Sequence, residues 1–160
     1  MQRRLRLVAA LLAATAVGTG CGVQIPADPD GTLERVRGGV LRVGVSPAPP
    51  WTSAGVGGEP DGVEISLVRD FADSIEADVE WEDGGEEHLV ASMERGELDL
   101  VVGGVTAKTP WAKQAAVTRP YVTVTGPDGE PAEHVMLAPL GENAFLVALE
   151  RFLLSQDVPL

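Results

Sequence analysis

From Gly96 to Tyr121 the chain reads GELDLVVGGVTAKTPWAKQAAVTRPY, an apolar run that stops on two glycines and turns onto a helix start. Leu98, Leu100, Val101 and Val102 form a short stretch rich in β-branched residues, the pattern of a buried strand. Gly103 and Gly104 end it and let the backbone approach another group closely. Thr106 and Pro110 suit the first turn of a helix predicted over 110–116, where unpaired N–H groups and a hydroxyl face outward and favour an anionic or carbonyl oxygen. The run therefore describes a central strand that delivers a ligand-facing turn.

The rest of the chain supplies partners for that strand. Gly39 to Val45 (GVLRVGV) and Asp78 to Glu82 alternate as strands, and Thr118 to Thr125 is extended. Ile65, Leu67, Val68, Phe71, Ala72 and Ile75 recur at helical spacing, which predicts a helix over 64–75 with one buried stripe. A second helix is predicted over 86–95, with Leu89, Val90 and Met93 inward. Strands alternating with helices imply α/β class, a mainly parallel sheet flanked by helices. Gly126 to Glu133 (GPDGEPAE) is a turn by composition. His134 to Ala138 (HVMLA) reads as a returning strand, and Asn143 to Ser155 as a last helix with Phe145, Leu146, Leu149, Phe152 and Leu153 at helical spacing and Asn143 as its cap.

The start of the chain reads as an export signal. Arg3, Arg4 and Arg6 precede an apolar stretch from Leu7 to Val17 that is too short for a comfortable membrane span. Cys21 is the only cysteine of the chain, so it cannot form an internal disulfide. Gly20-Cys21-Gly22 resembles a bacterial lipoprotein cleavage site, although Gly18 stands where an aliphatic residue is usual. That resemblance implies lipidation at Cys21 after removal of residues 1–20, with residues 21–37 as a lipid-anchored tether and residues 38–160 left as one small domain. Loss of residues 1–20 removes three of the 12 basic residues and none of the 24 acidic ones, which moves the net charge from −12 to −15. Nucleic acid and anionic lipid surfaces are poor partners for such a surface, leaving the lipid as the membrane contact.

The GG-x-T run resembles a segment of the family 3 extracellular solute-binding proteins that reads roughly G-x-x-D-L-I-x-G-G-x-T-x-T-x-E-R, followed by a Pro-Tyr. Val117 to Tyr121 (VTRPY) falls where the family has Phe-Ser-x-Pro-Tyr. Further matches are Ser46 to Trp51 (SPAPPW), against a Pro-aromatic, and Gly62 to Leu67 (GVEISL), against Gly-aromatic-Asp-x-Asp-Leu. The resemblance implies the type 2 periplasmic-binding fold, seen in amino-acid receptors of ABC transporters. It covers one lobe only: the second lobe is replaced by the short turn near 126–133.

By that resemblance Trp51 is the aromatic that lies against a solute, and Gly104 and Thr106 are the positions that give a backbone N–H and a hydroxyl to a carboxylate; Gly103 of the same turn is a further ligand-binding candidate. The family's carboxylate-clamping arginine aligns with Trp111, which cannot form a charged fork. Ser46 falls near the position of an acid for a substrate's ammonium. With both charge partners of an α-amino acid missing, Trp51, Trp111 and Tyr121 are candidates for an aromatic wall that would suit a cation. The competing reading has Trp111 packing on Pro120 and Tyr121. Lys108 and Lys113 are the cations near the turn. Asp83, Glu86 and Glu87 beside His88 are accounted for by a helix start, so no metal is expected there.

The resulting expectation is an exported solute-binding lipoprotein on the outer face of the bacterial cytoplasmic membrane, with a small polar or cationic solute and no cofactor. An ABC permease or a second copy of the chain would be its protein partner. A bare lobe should also expose an unusually apolar cleft face. Alternatives are a ligand-free interaction or accessory lipoprotein and a truncated, non-functional remnant of a two-lobe receptor. An enzyme is the least expected, because no nucleophile–base set or poised carboxylate pair stands out.

Overall fold

The computed structural model describes residues 28–54 and 59–158. The signal segment, Cys21 and the first seven residues of the tether lie outside the described residues. The first element comes earlier than the expected lobe boundary at residue 38. Helix α1 (Thr32–Val36) is docked on the fold, with Val36 fully buried in the main apolar cluster.

Strands β1 (Val40–Val45), β4 (Asp78–Asp83), β5 (Leu100–Val102), β6 (Ala116–Val117) and β9 (Leu137–Ala138) form one sheet in the order β4-β1-β5-β9-β6. Strand β1 pairs in parallel with β4 on one side and with β5 on the other, whereas β9 runs against both β5 and β6. Four strands thus point one way and one points back, which makes the sheet mainly parallel. Two further strands, β2 (Ser53–Ala54) and β3 (Pro60–Asp61), form a small ladder of their own. Strand β4 (DVEWED) is one edge of the sheet, and its alternate acidic side chains suit an edge that must not pair with another chain.

Side-chain alternation splits the core into two layers. Leu41, Val43 and Val45 of β1, with Leu100 and Val102 of β5, face helices α2 (Val63–Ser74) and α4 (Asn143–Leu153). Val101 faces the other way, toward Leu89, Val90 and Met93 of helix α3 (Glu86–Glu94). The stripes read from sequence are the ones buried: Ile65, Val68 and Phe71 in α2, and Phe145, Leu149 and Leu153 in α4, are all at most 1% exposed.

Three expectations are corrected. The helix expected over 110–116 is a single 3-10 turn, Pro110–Lys113, capped by Thr109, whose hydroxyl accepts the Trp111 amide at 3.3 Å. The returning strand is two strands. Strand β8 (Pro131–His134) forms a hairpin with β7 (Val122–Thr125) around the Gly126–Glu130 turn, and only β9 rejoins the sheet. Asn143 begins α4 rather than capping it; the preceding residue, Glu142, turns its carboxylate to the Asp30 and Thr32 amides at the start of α1, both at 3.0 Å.

Candidate functional site

The chain leaves β1 for α2 on one face of the sheet and leaves β5 for the 3-10 turn and the Val101 layer on the other. Loops that diverge from adjacent parallel strands open a crevice at their carboxyl ends, the usual place for a ligand in an open α/β sheet. Ser46 follows β1 and Gly103 follows β5, and the two touch: the Ser46 amide donates to the Val102 carbonyl at 2.9 Å. A Cβ on Gly103 would lie 2.7 Å from the Cβ of Ser46. At Gly104, φ is +65° and a Cβ would lie 2.8 Å from Cδ1 of Trp51. Glycine is therefore required at Gly104 on two counts, left-handed backbone and close approach of an aromatic.

The amides of this turn do not face an open groove. Glu64, in the first turn of α2 and fully buried, points its carboxylate at them: Oε2 accepts from the Gly103 N–H at 2.8 Å and from the Gly104 N–H at 2.9 Å. Its other oxygen, Oε1, lies 2.6 Å from the Tyr121 hydroxyl, which donates to it. Burial pushes the Glu64 carboxyl above its ordinary range, against the opposing pull of Gly104, Tyr121 and Gly103. Burial and the adjacent carboxylate likewise raise the Tyr121 hydroxyl. The Glu64 N–H also donates to the Trp51 carbonyl at 3.0 Å. One residue thus ties together the Trp51 loop, the Gly-Gly turn and the approach to β7.

Trp51 and Tyr121 meet edge to face with ring centroids 6.5 Å apart. Trp51 also stacks on His134 at 3.7 Å, with 27° between the planes, and is 9% exposed. Trp111 does not join this pair. It packs against the Leu89–Val101 layer, and its indole N–H donates to Glu86 Oε2 at 2.8 Å. The three aromatics expected to form one wall are divided between the two layers, and Trp111 does not pack on Tyr121 as the competing reading held. Thr106 is half-buried and forms an isolated antiparallel bridge with His134. Lys108 and Lys113 are exposed. Beside Thr106 and Lys108 opens a cavity of about 200 Å³ whose far wall is the β7–β8 hairpin, with Asp128, Glu130 and Glu133.

Sequence reading missed Glu64 and His134. The signal for Glu64 was present: a carboxylate three, four and seven residues before Leu67, Val68 and Phe71 sits on the buried stripe and needs buried donors. His134 carried no such mark, being one residue of an apolar run. It is 4% exposed, its Nδ1 has no partner among the described residues, and burial lowers its pKa.

A cavity of about 610 Å³ lies at the opposite pole, beside the start of β5. There Asp99, 1% exposed, holds Arg35 and Arg42 in charge-assisted pairs of 2.6 Å each. Burial opposes ionisation of Asp99, but the two guanidiniums outweigh it and keep its pKa low. The carboxylate is spent on joining α1, β1 and β5. Among the described residues no helix is long and apolar enough to cross a membrane.

The profile of the bacterial extracellular solute-binding proteins, family 3, matches residues 41–128, more than half of the chain. No curated protein sequence matches it. Among solved structures, domain 1 of TmArgBP in its arginine-bound form is similar with a TM-score of 0.66 and 21% identity, covering 75% of this chain and 95% of that one. The L-cystine solute receptor of Neisseria gonorrhoeae, unliganded and open, gives 0.63 and 12%, covering 76% and 89%. An ancestral amino-acid-binding protein that is a precursor of cyclohexadienyl dehydratase gives 0.65 and 16%, covering 76% and 91%. At these identities the likenesses speak for the fold, and the fold is that of one lobe. The chain belongs to the bacterial extracellular solute-binding proteins, family 3, as a single lobe of their fold.

Proposed function

We propose that this lobe is an extracytoplasmic solute-binding module, lipid-anchored through Cys21, that takes a small polar or cationic solute at the carboxyl ends of β1 and β5. The observation that carries the reading is the packing of Trp51 on Gly104, which holds an aromatic and the GG-x-T turn together at the sheet's crevice. Trp51, Gly103, Gly104, Thr106 and Tyr121 are the contact candidates, with Trp111 as an outlying one. Three carboxylates face one ammonium across the cavity beside Thr106, a balance that favours a cation. A single lobe retaining its solute has a parallel in the arginine-bound domain 1 of TmArgBP. An ABC permease, or a second copy closing over the same face, would complete the clamp.

The test is a thermal-shift panel of arginine, choline-like and polyamine compounds on the purified chain, because a specific ligand must stabilise the folded state by mass action. The expected result is a concentration-dependent rise in Tm, with a parallel change in tryptophan fluorescence that Trp51→Ala abolishes. A flat response across the panel would remove the cationic solute.

A second reading, a ligand-free accessory lipoprotein, is favoured by one observation: Glu64 occupies the Gly103 and Gly104 amides, and Trp51 is already stacked on His134. A flat solute panel together with capture of a permease from membranes would select it.

A further inference from the structure

Three of the nine basic residues that follow residue 20 line one space, the cavity of about 610 Å³ beside the start of β5, in a chain whose net charge is −12. Arg35 comes from α1, Arg42 from β1 and Arg95 from the end of α3. Arg35 and Arg42 both bond Oδ1 of Asp99 at 2.6 Å, so one buried carboxylate answers two positive charges. Arg35 Nη1 also reaches Asp99 Oδ2 at 3.3 Å, while Arg42 gives Nε to that oxygen at 3.0 Å and Nη1 to the Gly96 carbonyl at 2.8 Å. A guanidinium carries five N–H groups, so both keep donors that the fold does not use. Arg95 gives Nε and Nη2 to Glu97 and Ser92, which leaves Nη1 without a partner among the described residues.

The rest of the lining is amphipathic. Gln114 lines the same space with its Oε1 buried and unpartnered, and an amide whose oxygen is turned into the protein presents its NH2 end to the cavity. Leu98 is buried beneath, and Leu140, 56% exposed, forms an apolar lip. The remaining acids of the lining, Asp30 and Glu94, are exposed, where water screens their charge. The volume falls within the roughly 300–1,000 Å³ of small-molecule sites.

We infer that this cavity is a second binding site, at the pole opposite the Gly-Gly turn, for a small organic carboxylate with a short apolar arm. Its head would lie among Arg35, Arg42, Arg95 and Gln114, and its arm against Leu140. Asp99 already shows how these guanidiniums grip a carboxylate, and the one charge it leaves uncompensated suits a monoanion. The acidic surface around the cavity repels an extended anionic surface, so the ligand is a discrete molecule rather than a membrane. This site shares no residue with the crevice beside Trp51 and takes the opposite charge, so it stands or falls apart from the solute reading.

The probe is hexanoate, added to the purified full chain. It should raise Tm saturably, with half the effect at about 1–10 mM, and shift the side-chain resonances of Gln114 and the three arginines. Acetate, which lacks the arm, should need several-fold more, and hexanol or chloride should give no saturable response. Arg95→Gln and Gln114→Leu leave the Asp99 pairs intact. Each should fold with a near wild-type Tm, because Arg95 is half exposed and the Gln114 oxygen has no partner to lose. Arg95→Gln should weaken hexanoate about tenfold and Gln114→Leu several-fold, whereas Trp51→Ala should leave it unchanged. A wild-type response no greater than that to chloride, or affinity unaltered in both variants, would overturn the inference. Phosphatidylglycerol vesicles should not sediment the chain; sedimentation that depends on Arg95 would make the ligand a lipid headgroup, contrary to the inference. Should either variant fail to fold, the wild-type resonances decide: shifts confined to residues outside this cavity would equally refute it. Saturable hexanoate binding with a flat cationic panel would keep this site and discard the crevice, and the converse would discard this site alone.

Discussion

Gly104 joins backbone conformation to an aromatic contact in one residue. Alanine there would have to adopt a φ of +65° and accept a methyl 2.8 Å from Cδ1 of Trp51. Gly104→Ala should therefore cost about 2 kcal/mol in urea unfolding and alter Trp51 emission; an unchanged midpoint would mean that the turn is looser than its geometry. His134 sets an acid limit. Burial holds its folded-state pKa below 6.5, so as pH falls through 6.5 the unfolded chain takes up a proton that the folded chain refuses. Stability from this group is fully present above 6.5 and declines as pH falls toward the folded pKa, by at most about 1.4 kcal/mol per pH unit. Glu64 acts with the opposite sign, because its raised pKa lets the folded state take the proton first, and its contribution grows as the medium is acidified. His134→Phe keeps a ring against Trp51 and isolates the first effect: urea midpoints at pH 7.5 and 5.5 should lie closer together in the variant than in the wild type.

At the scale of elements, helices α1 and α4 start beside each other and exchange caps. Glu142 accepts the Asp30 and Thr32 amides, while Asp28 accepts Leu33 at 2.9 Å and Phe145 at 3.4 Å. Burial resists ionisation of Glu142, but the Asp30 and Thr32 amides prevail and lower its pKa. Glu142→Ala should cost about 1–3 kcal/mol and speed hydrogen exchange at Asp30 and Thr32, leaving the β1 and β5 amides protected. Uniform loss of protection would show that α1 is not a separable unit. This lacing also explains what sequence reading could reach. Helices α2 and α4 were legible because eleven or twelve residues carry a stripe through several turns, as Ile65, Val68 and Phe71 do. Helix α1 has five residues, too few for a period, and its cap comes from a carboxylate 110 positions away. The run from His134 to Ala138 looks like one strand because apolar character is the same whether a residue pairs with the hairpin or with the sheet. At the site, the two glycines and Trp51 were recognisable by their chemistry. Their internal ligand was overlooked although Glu64 falls on the buried stripe of α2, since a glutamate near a helix start normally reads as a dipole partner.

The whole molecule is more finished than half of a clamp need be. A lobe cut from a two-lobe receptor was expected to expose an apolar cleft face, yet among the described residues the exposed large hydrophobics are Leu140 and Leu154, both far from the Gly-Gly turn in the chain. The β7–β8 hairpin pairs its two strands with each other, and Glu64, Tyr121, Trp51 and His134 contact one another beside the Gly-Gly turn. Integrity then depends on the last helix, which returns to cover the same layer as α2. Phe145, Leu149 and Leu153 are each at most 1% exposed, and truncating any one to alanine should cost about 2–5 kcal/mol. Their joint removal approaches or exceeds the roughly 5–15 kcal/mol that holds a domain together. It also takes away Glu142, so the start of α1 loses its cap in the same stroke. Deleting residues 141–160 should abolish the cooperative thermal transition seen by circular dichroism. A truncated chain that melts at the wild-type midpoint would show that the lobe folds without α4, and would leave the burial of its apolar stripe without energetic consequence.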